Sequence, residues 1–121
     1  MSTVTIVQGE DRTLTFQIKE IDASEVTTYM DLTNATGIEI RAAGTSVNYI
    51  SFSFSSNEIV FLEKKSGTFK LIMSDAKTKQ LKVGPNQNLE VIVDLGAPPL
   101  GERRVAQLIK SITVVKRIFP D

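Results

Sequence analysis

The side chains best suited to chemistry are carboxylates. They cluster at Glu10 and Asp11 and again at Glu20, Asp22 and Glu25. General acid–base work needs two carboxylates held in environments that drive their pKa values apart. Both clusters fall in segments that read as turns or loops, where solvated surface is the expected state. The chain has no histidine, the commonest general base and metal ligand. It has no cysteine either, and so no thiolate nucleophile, disulfide or thiolate metal site. No calcium loop of the Asp-x-Asp-x-Asp-Gly kind, phosphate-binding glycine motif or Gly-x-Ser-x-Gly elbow occurs. The residues therefore predict a non-enzyme, with no catalytic residue, no cofactor and no metal.

One loop carries a different kind of chemistry. Gly96-Ala-Pro-Pro-Leu-Gly101 is uncharged, stiffened by two prolines and tipped with Leu100. It reads either as a rigid connector whose prolines stop strand pairing or as a preorganised contact loop, since a stiff loop loses less entropy on docking. Pro98, Pro99 and Leu100, with Arg103 and Arg104 just after them, are the candidate assembly contacts.

The elements that must position these groups show a period of two, the signature of half-buried strands. Leu14, Phe16 and Ile18 alternate with polar residues, as do Val4 and Ile6, Ile38 and Ile40, and Ile50, Phe52 and Phe54. Phe69, Leu71 and Met73 form another such set, and Leu89, Val91, Val93 and Leu95 a further one. Glu58-Ile-Val-Phe-Leu62 reads as a short strand buried on both faces. Turn residues separate the runs, at Gly9, Gly44, Ser55-Ser-Asn57 and Lys64-Lys-Ser-Gly67, with a further turn at Gly84-Pro85. Asp22 to Asn34 is the longest irregular stretch, with Leu32 as its expected anchor.

Ser74 stands where an N-cap would, ahead of a short helical turn with Asp75 in its first positions. Leu81 is expected to hold this turn over an open end of the sandwich, with Ala76 or Val83 as further anchors. From Arg103 to Phe119 two patterns compete. The β-branched run favours two strand stretches joined by a bend near Leu108–Lys110, while an amphipathic helix from Arg103 to about Ile112 is the alternative. The fold expected is all-β, an immunoglobulin-like antiparallel β-sandwich with one short crossover helix at about residues 75–81. A length of 121 residues predicts a single domain, 1–121.

Zero net charge conceals an asymmetry. Residues 1–60 carry eight acidic against three basic side chains, and residues 61–121 carry eleven basic against six acidic. Either the halves interleave and pair across strands, or the molecule has opposed faces suited to ring assembly. The lysines are scattered with little aromatic interleaving, which argues against nucleic acid. No apolar run approaches the ~20 residues of a membrane span, and the start lacks signal-peptide features. An intracellular product is expected.

In this order the elements resemble the immunoglobulin-like sandwich at the N-terminus of phage baseplate upper proteins, and related small tail and neck proteins. The matching stretches are Ile6-Val-Gln-Gly-Glu-Asp-Arg-Thr-Leu-Thr-Phe-Gln-Ile18, Tyr29 to Arg41 with its Asp31-Leu32-Thr33 step, and Gly67-Thr-Phe-Lys-Leu-Ile-Met-Ser74 leading into the helical turn. Asn34 stands where that family usually has glycine. The resemblance implies a virion structural component, used as an adaptor. Its partners would be other virion proteins and further copies of itself, with no nucleic acid, no membrane and no catalytic residues to carry over. A carbohydrate-binding or host-surface-binding sandwich is the alternative. It needs aromatic platforms, and the chain offers only Tyr29 and Tyr49 and no tryptophan.

Overall fold

Alternating side chains force extended backbone wherever one face can be buried, and the computed structural model of the protein follows that rule over most of its length. It describes residues 2–21, 27–95, 102–108 and 110–117. β1 (Ser2–Val7) and β2 (Arg12–Ile21) flank a turn at Gly9, whose φ of 85° suits glycine. β3 (Thr27–Tyr29) and β4 (Ala35–Ala43) are followed by β5 (Tyr49–Ser53) and β6 (Ile59–Glu63). A 3-10 turn (Lys64–Ser66) ends at Gly67, and β7 (Thr68–Met73) leads to one helical turn, α1 (Asp75–Thr78). β8 (Gly84–Gln87), β9 (Glu90–Leu95), β10 (Glu102–Leu108) and β11 (Lys110–Val115) complete the order.

The strands form a three-stranded sheet, β1-β11-β8, and an eight-stranded one with the path β5-β4-β9-β10-β2-β7-β6, β3 joining β2. β2 serves two neighbourhoods. Its first half, Arg12 to Gln17, pairs with β7; its second half pairs with β10 at Ile18 and Lys19 and with β3 from Lys19 to Ile21. A long strand that changes partners in this way turns a corner between layers. The ends of the long sheet also meet. β5 and β6 stand at opposite ends of the path yet are consecutive in the chain, and the Glu58 amide donates to the Ser53 carbonyl at 3.1 Å.

Side chains from both sheets share one buried cluster, which includes Ile6, Phe16, Ile40, Phe52, Phe69, Met73, Val91 and Ile112. The arrangement is an all-β, sandwich-like fold. Phe16 and Phe69 face each other across the β2–β7 ladder with ring centroids 6.1 Å apart. Burying each such ring contributes about 1.5–3 kcal/mol.

Several expectations are met. Leu14, Phe16 and Ile18 are buried, as are Ile38, Ile40, Phe69, Leu71, Met73, Leu32 and Leu81. The final run is two strands, β10 and β11, not a helix. Others need correction. The helical segment is shorter than residues 75–81. After Thr78 the Gln80 and Leu81 amides bond three residues back, and Leu81 is captured by an antiparallel bridge to Gly44. Ala76 and Val83 are exposed and anchor nothing. Ser74 occupies the N-cap position without a side-chain cap bond. Gly84 to Gln87 is a strand rather than a turn, because it lies against β11. β6 is not buried on both faces, since only Ile59 is fully buried while Val60 and Leu62 are exposed. Phe54 lies beyond the end of β5, in the turn, where it stacks 5.1 Å from Phe61. One ladder departs from antiparallel pairing. β1 and β11 run parallel from Ser2 opposite Lys110 to Val7 opposite Val115. Parallel neighbours need a long crossover, and here the intervening sandwich supplies it.

Candidate functional site

The exposed side of β4 and β5 carries the densest polar arrangement described. Antiparallel register sets Arg41 opposite Ser51 on one side and Glu90 on the other. Residues two apart on a strand share a face, so Glu39 lies beside Arg41. The guanidinium grips the Glu39 carboxylate at two points, Nε at 2.9 Å and Nη2 at 3.3 Å. Ser51 Oγ donates to the same carboxylate at 2.7 Å, and Glu90 approaches Arg41 at 3.8 Å. The hydrogen bond to Glu39 raises the Arg41 pKa above its usual value, so the group stays charged. Its carbon Cζ lies 4.4 Å from the centroid of the Tyr49 ring, a cation–π contact.

Beside this network the free edge of β5 meets α1. Between them lies an open hollow of about 470 Å³, walled by Val47, Tyr49, Ser51, Lys77 and Gln80 with Asn48 and Ile50. Lys77 closes its end. The ammonium donates to the Ser51 carbonyl, pairs with Glu58 at 2.6 Å and sits 5.0 Å from the Phe52 ring centroid. Lys77 thus occupies the place of a missing strand partner. The lining offers amides, one paired cation and one aromatic ring, but no carboxylate.

A second junction ties α1 to the first turn. The Thr78 side chain is fully buried; its hydroxyl accepts from the Gly9 amide at 3.1 Å and donates to the Glu10 carbonyl at 2.8 Å. The first carboxylate cluster works here too. Glu10 accepts from the Val7 amide at 2.9 Å and lies 3.7 Å from Arg12, and Asp11 accepts from the Asp75 amide at 2.8 Å. Asp11 therefore caps the helical turn in place of Ser74. In the second cluster Glu20 lies on β2 opposite Thr28, while Asp22 and Glu25 lie outside the described residues. Among the described residues no group of three potential ligands is placed to hold a metal ion.

A third surface mixes exposed apolar side chains with polar ones. The register sets Val60 opposite Lys70, and Lys70 opposite Thr15, on the outer face of β6, β7 and β2. Val60 is 41% exposed, Leu62 52% and Ile72 38%. A bulge at Leu62 breaks the ladder between Phe61 and Glu63.

Of the residues expected to make assembly contacts, Pro98, Pro99 and Leu100 lie outside the described residues. Arg103 and Arg104 fall on β10, opposite Asp94 and Val93 of β9, and only their backbone is described. Among the described residues Glu39–Arg41–Ser51, the Lys77–Glu58 pair and buried Thr78 were not singled out by sequence. The first has a usable signal, an acid two residues before an arginine on a strand with a serine across a short hairpin. The other two depend on tertiary contacts between distant segments. Among the described residues no helix is long and apolar enough to cross a membrane. No protein-family model matches the chain, and no curated protein matches it.

Proposed function

We propose that the chain is a non-enzymatic structural protein of a phage particle, an immunoglobulin-like tail, neck or baseplate adaptor. It works by assembling with other virion proteins and with copies of itself, and takes no nucleic acid, membrane or cofactor. The order of the strand motifs supports the reading, as does the all-β fold they build. The observation that carries it furthest is the exposure of Val60, Leu62 and Ile72 on β6 and β7, beside Lys70. A solvated sandwich face normally alternates apolar-in with polar-out, and neighbouring apolar residues left outside mark a contact surface. Mass spectrometry of purified virions, with light scattering on the pure protein, tests the proposal. The chain is expected among the structural proteins of the particle, and its absence from them overturns the reading.

The alternative is a carbohydrate-binding or host-surface-binding module. Tyr49, 46% exposed between Asn48 and the Gln80 side of the hollow, is the observation in its favour. Arg41 already stacks on this ring. A glycan array on which the protein finds no ligand removes this alternative.

A further inference from the structure

A strand at the end of a sheet leaves a row of main-chain groups unpaired, and natural sheets blunt such edges. Those of β5, β6, β3 and β8 are blunted here. On β5 the Ser53 amide donates to Glu58 Oε1 at 3.2 Å, the Ser53 carbonyl is taken by the Glu58 amide and the Ser51 carbonyl by Lys77. β6 has the bulge at Leu62 with Lys64 and Lys65 after it. β3 is three residues long, and β8 is four residues long, irregularly paired and interrupted by Pro85. β1 has none of these devices. It is the outermost strand of its sheet, six residues long, uncharged, and β-branched at every residue from Thr3 to Val7. The phase of its ladder shows which groups are bare. The Gln8 amide donates to the Val115 carbonyl at 3.0 Å, so Gln8, Ile6 and Val4 bond to β11 while Val7, Thr5 and Thr3 turn their amides and carbonyls outward. Glu10 closes Val7, accepting from its amide through Oε1 at 2.9 Å and donating its own amide to the Val7 carbonyl at 3.2 Å. Among the described residues nothing bonds to the outward main-chain groups of Thr5 and Thr3, and Thr5 is exposed.

We infer that this bare edge pairs with the same edge of a second copy, antiparallel about a two-fold axis at Val4. Thr3 of each copy then stands opposite Thr5 of the other, and each such pair exchanges both of its hydrogen bonds. The second copy fits because its own bare stretch is the same, Thr3 to Thr5, without charge and with the same stop at Val7. Glu10 sets the register, since with Val7 closed only Thr3 and Thr5 are left to match. Charge selects the direction. Glu10, Arg12 and Arg117 crowd the turn at the Val7 end. Parallel pairing would set two such turns side by side, like charge against like, whereas antiparallel pairing carries them to opposite ends. The contact uses one edge of each copy and closes, joining the small sheets in the order β8-β11-β1-β1-β11-β8. The inference deepens the assembly reading above and rests on it for a place in a particle. So short a ladder falls well below the roughly 800 Å² per partner of a standard interface. The dimer is therefore weak alone, with a dissociation constant on the order of 0.1–1 mM.

The chain has no cysteine, so a single introduced cysteine reports a single contact. Across the axis Val4 faces its own copy as a non-hydrogen-bonded pair, with α-carbons about 4.5 Å apart, a spacing that suits a disulfide. Val4→Cys, held at roughly 0.1–1 mM in a glutathione redox buffer, is expected to become a covalent dimer. Its yield should exceed about tenfold that of Ser55→Cys, an exposed position in the turn after β5. Thr5→Pro in the V4C background should bring the yield down to that of S55C. The Thr5 amide makes no bond to β11, and proline is tolerated on such an edge. Thr5→Lys, which adds a charge at the edge without altering the main chain, should lower the yield in the same way. Leu62→Glu should leave it unchanged. Circular dichroism spectra and melting points verify that each variant folds. A V4C yield no higher than that of S55C overturns the inference and leaves the edge to a strand of another protein. A dimer that survives both Thr5 changes, one lost in L62E, or an open-ended polymer overturns it as well. The two readings fail separately: trapped dimers from a protein absent from virions sink only the function, and a virion protein that V4C does not trap sinks only this contact.

Discussion

At the residue scale, several of the described polar groups tie distant segments of the chain together. Thr78 is the clearest case, since one buried hydroxyl serves a donor and an acceptor of the turn after β1. Thr78→Val keeps the shape and removes the oxygen, leaving the Gly9 amide and Glu10 carbonyl without that partner. Unsatisfied buried groups cost about 1–3 kcal/mol, and urea denaturation should show a loss of that size, whereas Thr78→Ser should recover much of it. Asp31 supplies a pH signature. Its carboxylate accepts from both the hydroxyl and the amide of Thr33, which lowers its pKa below the usual 3.8. A carboxyl depressed on folding stabilises above its unfolded value and loses that contribution as pH falls through the folded one. Thermal midpoints should therefore drop between roughly pH 5 and the depressed folded value. Asp31→Asn, which keeps an acceptor but cannot be protonated in that range, should flatten that limb slightly. The group is solvent-exposed, so the difference between the two curves is small and their shape is the readout.

At the element scale, what decides the structure is where strands are forced to stop. Gly67 ends the 3-10 turn at φ 68°, and a β-carbon there would lie 2.7 Å from the Met30 carbonyl oxygen. Gly67→Ala combines a left-handed backbone with a clash against main chain, so a loss of about 1–3 kcal/mol is expected in chemical denaturation. Lys77→Met tests the seam between β5 and β6. It retains the apolar stem but strips Glu58 of its cation and the Ser51 carbonyl of its donor. With the lysine one-third exposed, the expected cost is about 1–2 kcal/mol. The elements also show what sequence could and could not reveal. β2, β4, β7 and β9 were legible because burial on one face imposes alternation, and Gly9 and Gly67 because positive φ selects glycine. β8 was not, because Gly84-Pro85-Asn86-Gln87 has no strand propensity and is extended by its pairing with β11. The cap on α1 was hidden because its donor and acceptor lie 64 residues apart in the chain. Phe54 continued the β5 pattern but stops being strand where the chain must turn toward β6.

At the scale of the whole molecule, the two halves of the sequence interleave in the sheets and meet through ion pairs. Lys77 pairs with Glu58 and Arg41 with Glu90, each joining one half of the sequence to the other. The same interleaving should make unfolding a single event. β1 is held by β11, β2 by both β7 and β10, and one buried cluster draws on both sheets, so no part has a core of its own. Phe69, wholly buried near the start of β7, is the position from which this can be tested. Truncating it to alanine removes ring contacts with Phe16 and leaves a cavity, at a cost of about 3–5 kcal/mol. That is a large share of the roughly 5–15 kcal/mol that holds a domain of this kind folded. If the sandwich is one cooperative unit, far-ultraviolet circular dichroism and tyrosine fluorescence should shift to the same lower urea midpoint in Phe69→Ala. Measured in a Tyr29→Phe background, the tyrosine signal is that of Tyr49 on β5, at the far end of the sheet path from β6. A midpoint there that stays near the original value while the dichroism shifts means that the β4–β5 end folds independently of β7. The continuous core argues against that result.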